Sequence, residues 1–526
     1  MHVAAPRAQV QAAPRAQVQA APRARARSGG RWRSLAVAAA LGFGLLGLAS
    51  GNDRVSPQDA EAAEAVPVPV PAQRASVAQV EIPAEANDTA VEPEAEPPEP
   101  QPLVQPVQAA ALAQPPLLAP KQAFPPMTRH ELSGFENALR GLQSGSLNRP
   151  VTILHLGDSH IASDSLTREI RKLLQRQFGD AGRGLMQPFG AVPYQQAAGI
   201  LFQVKGNWTF ANSLKVHSGP FGITGARATS GSADAQMSLS SQGNSFDWAE
   251  VTLLTGPSEG SVRIAVGDHE TVASGKAAKA GSRSIRVAQS GERLSIRPMG
   301  DAPVTVLGWA TGKSKPGVRY ISLGIPGAKL SVTSSWNGDQ ITRDVSAIAP
   351  DLIILGYGTN EAFDGNLQGP AYLQTVLGLI ERLKAAAPNA SLLIITPPDV
   401  AHQARGAKAG ANACGERLDG TPYGSDKIQA ERRRRTNGWE APPSLWTVRR
   451  TLEEAAHRSG AFVWDWSLAM GGPCGVDQWA DMSPPLAGPD HVHQTPRGYD
   501  RSSRALFEVL MADYKHFSAT AHATLE

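Results

Sequence analysis

The sequence has few of the residues on which several classes of protein depend. It contains two cysteines in 526 residues, which excludes a zinc ribbon, a cysteine-ligated iron–sulfur cluster and a disulfide-rich miniature scaffold. The 50 Lys and Arg residues are balanced by 47 Asp and Glu residues, and the formal net charge of +3 excludes a broadly basic nucleic-acid-binding surface. Aromatic residues are scarce at 6%, but hydrophobic residues at 41% suffice for a large core.

Acidic residues are missing from the N-terminal part of the chain, where the first one is Asp53. Several arginines in this part precede an uninterrupted apolar run over residues 35–49, and small residues follow it. A basic flank, an apolar run and small residues are the layout of a secretory signal. Because the run is shorter than the roughly 20 residues of a bilayer span, it favours a cleaved signal over a retained inner-membrane tether. We expect export to the periplasm.

Composition divides the chain into five expected segments. Residues 1–51 form a basic repeat leader with the signal or anchor segment, and residues 52–126 form a linker rich in Pro, Ala and Glu. Such sequence is typical of disordered, extended chain. Strands alternate with helices over 127–197 and again over 318–526, whereas 198–317 contains short strands separated by turns. We therefore expect one domain in two parts, with an all-β module inserted between them.

The alternating pattern predicts a mostly parallel sheet. A buried strand over 151–156 is followed by a sharp turn and by a helix over 164–178 with apolar residues at helical spacing. Further strands are predicted over 351–355, 391–395 and 461–464, with helices between them. A sheet of this kind is covered by helices on both faces, and its functional sites lie at the carboxyl ends of its strands.

The inserted segment has the strand spacing of an all-β sandwich. Its strands are predicted over 248–254, 261–266, 282–287, 293–297 and 304–309. In an exported protein such a module would contact carbohydrate or serve as a structural cap. The sequence Gly256-Pro-Ser-Glu-Gly260 matches the nucleophile-elbow pattern, but a strand follows it where that motif needs a helix, so we interpret it as a hairpin turn.

Three residues have the properties of a nucleophilic hydrolase site. Ser159 follows a buried strand and precedes a helix, which leaves its hydroxyl and its N–H accessible. Asp490 and His493 lie just before a final helix, for which Thr495 suits the N-cap and Pro496 the first position. Because they are three residues apart in a turn, Asp490 could orient His493 as the base for Ser159.

Four ordered motifs resemble those of the SGNH (GDSL) hydrolase superfamily. They are Gly157-Asp-Ser159, the loop Gly324-Ile-Pro-Gly327, Gly358-Thr-Asn360 and Asp490-His-Val-His493. The resemblance implies a flavodoxin-like three-layer fold with Ser159 as nucleophile, His493 as base and Asp490 as its orienting acid. It also implies that the oxyanion donors are the N–H groups of Ser159 and Gly327, or Gly324 in place of Gly327, and the side chain of Asn360.

The order of segments is most similar to that of periplasmic peptidoglycan O-acetylesterases, which carry an inserted module resembling a carbohydrate-binding β-sandwich. That resemblance implies hydrolysis of O-acetyl esters on a cell-wall glycan, at the C6 hydroxyl of N-acetylmuramic acid, through an acyl-Ser159 intermediate. An O-acetyltransferase with the same triad, a general acyl-esterase or lipase, and a non-catalytic glycan-binding scaffold are the alternatives.

No cofactor is expected, and no nucleic-acid partner. His491 and His493 lie two residues apart, but the sequence supplies no further ligand cluster, so we expect no metal site. Cys414 and Cys474 could form a disulfide in an oxidising compartment.

Overall fold

The structure is a computed structural model that describes residues 131–403 and 438–523, with side chains described through residue 518. The expected leader, the apolar run over 35–49 and the linker lie outside the described residues, as does Cys414. Within the described ranges, no helix is long and apolar enough to cross a membrane.

Helices and strands alternate at both ends of the described chain, and strands predominate between them. The helices are α1 (Ser133–Ser144), α2 (Ser159–Ala162), α3 (Ser165–Phe178), α4 (Gly338–Ile348), α5 (Thr359–Ala362), α6 (Gly369–Ala386), α7 (Leu445–Ser459), α8 (Trp466–Ala469), α9 (Gly475–Asp481) and α10 (Pro496–Ala523), with a 3₁₀ helix over Leu330–Ser335. The strands are β1 (Pro150–Gly157), β2 (Gly184–Met186), β3 (Ile200–Lys205), β4 (Thr209–Asn212), β5 (Ala226–Ser230), β6 (Gln236–Ser241), β7 (Trp248–Thr255), β8 (Ser261–Val266), β9 (His269–Ser274), β10 (Gly281–Val287), β11 (Arg293–Pro298), β12 (Val304–Gly312), β13 (Gly317–Gly324), β14 (Leu352–Gly356), β15 (Ser391–Ile395), β16 (His402–Gln403), β17 (Trp439–Glu440) and β18 (Phe462–Trp464).

Five parallel strands form the central sheet in the order β13-β1-β14-β15-β18. Side chains alternate between the two faces of this sheet, so Leu154 packs into one hydrophobic core and Ile153 into a second. Helices α4, α6 and α7 cover the first face, and α1, α3 and α10 cover the second. Each fully buried aliphatic side chain contributes about 1.5–3 kcal/mol. The predicted α/β fold with helices on both faces is confirmed.

Strand register places three turns side by side at the carboxyl ends of neighbouring strands. Gly157 at the end of β1 lies opposite Gly324 of β13 and opposite Gly356 of β14. The three strands therefore end level with one another. A Cβ atom on Gly324 would collide with the backbones of Ala162 and Asp158, so this close approach requires glycine.

Two antiparallel sheets follow the first part of the parallel sheet. One has the order β10-β7-β12-β5-β4 with β2 added to β12, and the other has the order β3-β6-β11-β8-β9. Leu239 of β6, Val251 of β7 and Ile264 of β8 belong to a core that the two sheets share. The additional antiparallel sheets expected from the sequence are thus present. The segment boundaries at 198 and 317 stay predictions, and β2, which precedes residue 198, pairs with β12.

Two local expectations from the sequence were incomplete or wrong. Strand β13, an edge strand of the parallel sheet, was not predicted, because it continues directly from a run of antiparallel strands. The segment 256–260 is not a hairpin turn, since β7 and β8 belong to different sheets and are not paired with each other. This segment instead connects one antiparallel sheet to the other. As predicted, it is not a nucleophile elbow, because a strand and not a helix follows it.

Asp164 joins three segments through a buried ionic cluster. Its carboxylate accepts hydrogen bonds from both Nη atoms of Arg171, each at 2.9 Å, and from Arg183 Nη2 at 2.6 Å. It also accepts from Ala198 N at 2.8 Å and from Thr167 Oγ1 at 2.6 Å. Burial alone would raise the pKa of Asp164, but the two guanidinium groups hold it well below its usual range. The cluster ties α3 to the chain on either side of β2.

Replacing Asp164 is expected to destabilise the protein strongly, because Arg171 and Arg183 would remain buried without their carboxylate. We expect Asp164→Ala to lower the free energy of unfolding by about 3–5 kcal/mol, measured by chemical denaturation of the whole chain. Asp268→Ala, at an exposed turn, is the matched control and should change it by less than about 0.5 kcal/mol. Equal effects of the two substitutions would contradict this account.

Candidate active site

Ser159 is the first residue of α2 and follows the end of β1 after a single residue. That residue, Asp158, occupies the N-cap position, and its side chain accepts a hydrogen bond from His160 N at 3.0 Å. The first turn of a helix leaves its N–H groups without helical acceptors, so the N–H of Ser159 is available to a ligand. Ser159 is half-buried, and its hydroxyl lies at the edge of the sheet where the three strands end.

Asp490 and His493 lie in the loop that precedes α10. Asp490 Oδ1 accepts hydrogen bonds from the backbone N–H of Val492 at 3.1 Å and from that of His493 at 3.0 Å. This side-chain turn folds His493 back toward the carboxylate. Thr495 Oγ1 accepts from Gly498 N at 3.3 Å, which agrees with the N-cap role predicted for Thr495.

The structure brings the three residues selected from the sequence into one hydrogen-bonded chain. His493 Nδ1 lies 2.7 Å from Asp490 Oδ2, and His493 Nε2 lies 2.9 Å from Ser159 Oγ. With Asp490 accepting from Nδ1–H, the Nε2 lone pair faces the Ser159 hydroxyl. This geometry allows His493 to take the proton of Ser159 as the oxygen attacks an acyl carbon.

The two ionisable partners shift each other's pKa in the directions that a base and its orienting acid need. The hydrogen bond to Asp490 raises the pKa of His493, while burial opposes that shift. Burial would raise the pKa of Asp490, but hydrogen bonds from the His493 side chain and from two backbone N–H groups hold it well below its usual range. Asp490 therefore stays ionised at neutral pH, and His493 is a stronger base than a free imidazole.

The imidazole ring of His160 lies beside that of His493. The sequence did not predict this contact. The two ring centroids lie 5.3 Å apart, and His160 Nδ1 lies 2.8 Å from the Tyr499 hydroxyl oxygen. Burial, aided by the charge of His493, lowers the pKa of His160 to about 3. His160 is therefore neutral at physiological pH and adds no second positive charge next to His493. The one feature of the sequence that points to this contact is the position of His160 directly after Ser159.

The two glycines that the sequence offers as alternative oxyanion donors, Gly324 and Gly327, differ in exposure and conformation. Residues 325–328 form a turn closed by a 3.0 Å hydrogen bond from Ala328 N to Ile325 O, with Pro326 second and Gly327 third at φ +79°. These are the features of a type II turn, whose third residue favours glycine because it requires a positive φ. Gly324 is buried in β13. Gly327 is exposed, so it remains accessible to a ligand.

Asn360 lies in α5, which begins shortly after the end of β14. Its Nδ2 donates to Ala328 O at 2.9 Å, which fixes the amide next to the Gly327 turn. An amide nitrogen carries two hydrogens, so the second one remains to donate to an oxyanion. The turns that carry Ser159, Gly327 and Asn360 thus follow three strands that end level in the sheet.

Glu361 holds the turn that contains Gly327 in place. The sequence did not predict this role. The residue is only 2% exposed, and its Oε1 accepts a hydrogen bond from Leu330 N at 2.5 Å. Burial raises the pKa of Glu361 to about 7, against the opposing hydrogen bond from Leu330 N–H. Together with the bond from Asn360 to Ala328 O, this contact fastens the chain just after Gly327 to α5.

His491 does not join the hydrogen-bonded chain. Its backbone has φ +52°, its Nδ1 lies 2.6 Å from Asp477 Oδ1, and its ring stacks on Trp439 with centroids 3.7 Å apart. His491 and His493 thus face different carboxylates. Among the residues that the structure describes, no group of three His, Cys, Asp or Glu side chains is placed to hold a metal ion. Because Cys414 lies outside the described ranges, its pairing with Cys474 stays a prediction.

Comparison with protein families identifies the class. Residues 302–501 match the GDSL-like Lipase/Acylhydrolase family. This range contains Gly327, Asn360, Asp490 and His493, and it begins after Ser159. The chain therefore carries a GDSL/SGNH-type acylhydrolase domain and is an esterase of that class.

Solved structures extend the similarity beyond this range. A peptidoglycan O-acetylesterase is 26% identical, with a TM-score of 0.59, and the match covers 73% of this chain and 96% of that protein. An acetyl xylan esterase is 12% identical over 36% of this chain and 81% of its own, with a TM-score of 0.24. A GDSL-like lipase from Bacteroides thetaiotaomicron is 16% identical over 37% and 76%, with a TM-score of 0.23. No curated protein sequence gives a significant match.

Shortening Glu361 is expected to slow ester hydrolysis without weakening substrate binding. Glu361→Asp would withdraw the acceptor from Leu330 N–H and loosen the turn that carries Gly327. We expect kcat for p-nitrophenyl acetate to fall about ten- to a hundredfold with little change in KM, because oxyanion contacts strengthen mainly in the transition state. Steady-state kinetics on the purified chain measures both parameters.

Two further variants control for a general structural effect. Glu361→Gln keeps an acceptor oxygen at the same length and should retain most of the activity. Glu136→Asp shortens another buried glutamate, on α1, and should leave kcat unchanged. Equal kcat values for Glu361→Asp and the wild type would rule out this role for Glu361.

Proposed function

We propose that the protein is a periplasmic serine esterase that removes O-acetyl groups from a cell-wall glycan. The proposed substrate is peptidoglycan acetylated on the C6 hydroxyl of N-acetylmuramic acid. The observation that carries the proposal is the hydrogen-bonded chain from Asp490 through His493 to Ser159 at the level ends of three strands. The similarity over most of the chain to a peptidoglycan O-acetylesterase supports the choice of acyl group and glycan.

Acyl transfer to the enzyme would start from the Ser159 hydroxyl. His493 Nε2 takes its proton while Oγ attacks the carbonyl carbon of the acetyl ester. The negative charge on the carbonyl oxygen is stabilised by the N–H groups of Ser159 and Gly327 and by the amide of Asn360. When the intermediate collapses, the bond to the sugar oxygen breaks and His493 returns the proton to that oxygen. The products are the free sugar hydroxyl and acetyl-Ser159.

Water would then resolve the acetyl-enzyme by the same route. His493 Nε2 takes a proton from a water molecule, whose oxygen attacks the acetyl carbonyl carbon. Collapse of the second intermediate breaks the bond to Ser159 Oγ, which recovers its proton from His493. Acetate leaves, and Asp490 keeps the imidazole oriented and stabilises its charge through both halves of the cycle.

The openness of the site supports a polymeric substrate. The side chains of His493 and Asp490 are 46% and 49% exposed, so these two groups lie at the surface of the part of the chain that the structure describes. A glycan strand could therefore present an acetyl group to Ser159 without threading its ends into the protein. A pendant acetyl ester needs room only for its two carbons at the reacting centre.

The decisive experiment follows acetate release from O-acetylated peptidoglycan. We expect the purified protein to release acetate from it, and to release none from peptidoglycan whose esters have first been removed with mild base. Ser159→Ala should lower the rate by about 10⁴-fold or more. If the wild type and Ser159→Ala release acetate at the same rate, or neither releases any, the proposal is wrong.

The same reaction separates hydrolysis from transfer. With an unacetylated glycan added as acceptor, an esterase continues to form free acetate. A transferase would instead place the acetyl group on the added glycan, with the loss of free acetate. Acetylated acceptor as the main product would replace the esterase proposal by the transferase alternative.

The pH dependence tests the pairing of His493 with Asp490. The rate should rise with pH through the pKa of His493, because only the neutral imidazole accepts a proton, and the Asp490 contact raises that pKa above its ordinary value of 6.5. Asp490→Asn should move the midpoint of the profile to lower pH and reduce kcat by about 10²–10⁴-fold. The profile is measured with p-nitrophenyl acetate from pH 5 to about 9; an unchanged midpoint would contradict the pairing.

A further inference from the structure

Tyr194 combines high exposure with a backbone conformation that a bulky side chain rarely adopts. The residue is 87% exposed, and its φ is +56°. The left-handed conformation is unfavourable for any residue with a Cβ atom and is adopted most readily by glycine or asparagine. A strained, solvent-facing tyrosine contributes little to packing, so the fold gives no reason for a ring at this position. Such outliers are concentrated at ligand-binding sites.

The loop around Tyr194 is firmly anchored on both sides. Before it, Ala191 and Val192 are buried, and Ala191 O accepts from Asn212 Nδ2 at 2.7 Å. After it, Gln195 Nε2 donates to Gln187 O at 3.3 Å. Buried residues and hydrogen bonds thus hold the chain on both sides of Tyr194, whose ring is exposed to solvent.

The anchors of this loop are elements of the active site. Gln196 N donates to Ala162 O at 3.1 Å, and Ala162 ends the short helix that Ser159 begins. Gln187 Nε2 donates to Gly324 O at 3.0 Å, at the end of the strand that leads to Gly327. Through these links the Cα atom of Tyr194 lies within about 20 Å of that of Ser159. A short oligosaccharide whose acetyl group occupies the site can span that distance.

We propose that the Tyr194 ring is a stacking platform for a sugar ring of the glycan substrate, outside the position where the acetyl ester reacts. This inference rests on the proposed function and deepens it. One face of a pyranose ring presents C–H groups and is apolar, so it packs on an exposed aromatic face while the hydroxyl groups remain in water. The platform would act on polymeric substrate and would not contact a small ester.

The strain at Tyr194 allows a test that separates binding from folding. Tyr194→Gly removes the ring and relieves the backbone, so we expect its melting temperature to equal or exceed that of the wild type. Hydrolysis of p-nitrophenyl acetate should be unchanged, whereas kcat/KM for O-acetylated glycan oligomers should fall about three- to tenfold. Tyr194→Phe keeps the ring and should behave like the wild type on both substrates.

Val272→Ala is the matched control, because it removes an exposed apolar side chain from β9. This variant should hydrolyse both substrates at the wild-type rate. The proposal is overturned if Tyr194→Gly and the wild type have the same kcat/KM for the glycan, or if Tyr194→Gly loses activity equally on both substrates.

A binding measurement distinguishes failure of this inference from failure of the proposed function. In a Ser159→Ala background, which does not consume the ester, Tyr194→Gly should weaken binding of the O-acetylated oligomer by the same three- to tenfold. If the wild type releases no acetate but binding still depends on Tyr194, the proposed function is wrong and the platform stands. If acetate is released and binding does not depend on Tyr194, the platform is wrong and the function stands.

Discussion

The level ends of three parallel strands are the constraint on which the rest of the site depends. Gly157 pairs with Gly324 on one side and with Gly356 on the other, so the turns after these strands leave the sheet at the same height. Glycine at position 324 permits this approach, because a side chain there would collide with the turn that carries Ser159. A shift of one strand by a single residue would reverse its side chains and separate the groups of the site.

Burial and hydrogen bonding divide the ionisable groups of the site into charged and neutral members. Asp490 is partly exposed and hydrogen-bonded, which keeps it ionised beside His493. Burial instead lowers the pKa of His160 and raises that of Glu361, so burial favours the neutral form of each. The result is one oriented imidazole that can change its charge, with a neutral second imidazole packed against it. This is the electrostatic arrangement that a general base requires.

Much of the fold and the central residues of the site could be predicted from local pattern. The aliphatic run that forms β1 and the alternation of strands with helices indicate the parallel sheet. The spacing of Asp490 and His493 before a helix capped by Thr495 predicts a turn in which the two side chains meet, and the structure has that turn. Strand β13 was missed because its side chains resemble those of the antiparallel strands before it, and only its partner β1 distinguishes it.

The sequence by itself determined the chemical types of the candidate site residues and the local element that presents each one, because caps, turns and strands depend on neighbouring residues. Tertiary structure decided which groups meet. It exposed Gly327 and buried Gly324, placed His160 against His493, and gave Glu361 its contact with Leu330 N–H. These contacts join residues far apart in the chain, and their geometry follows from strand register and packing, which no local pattern encodes.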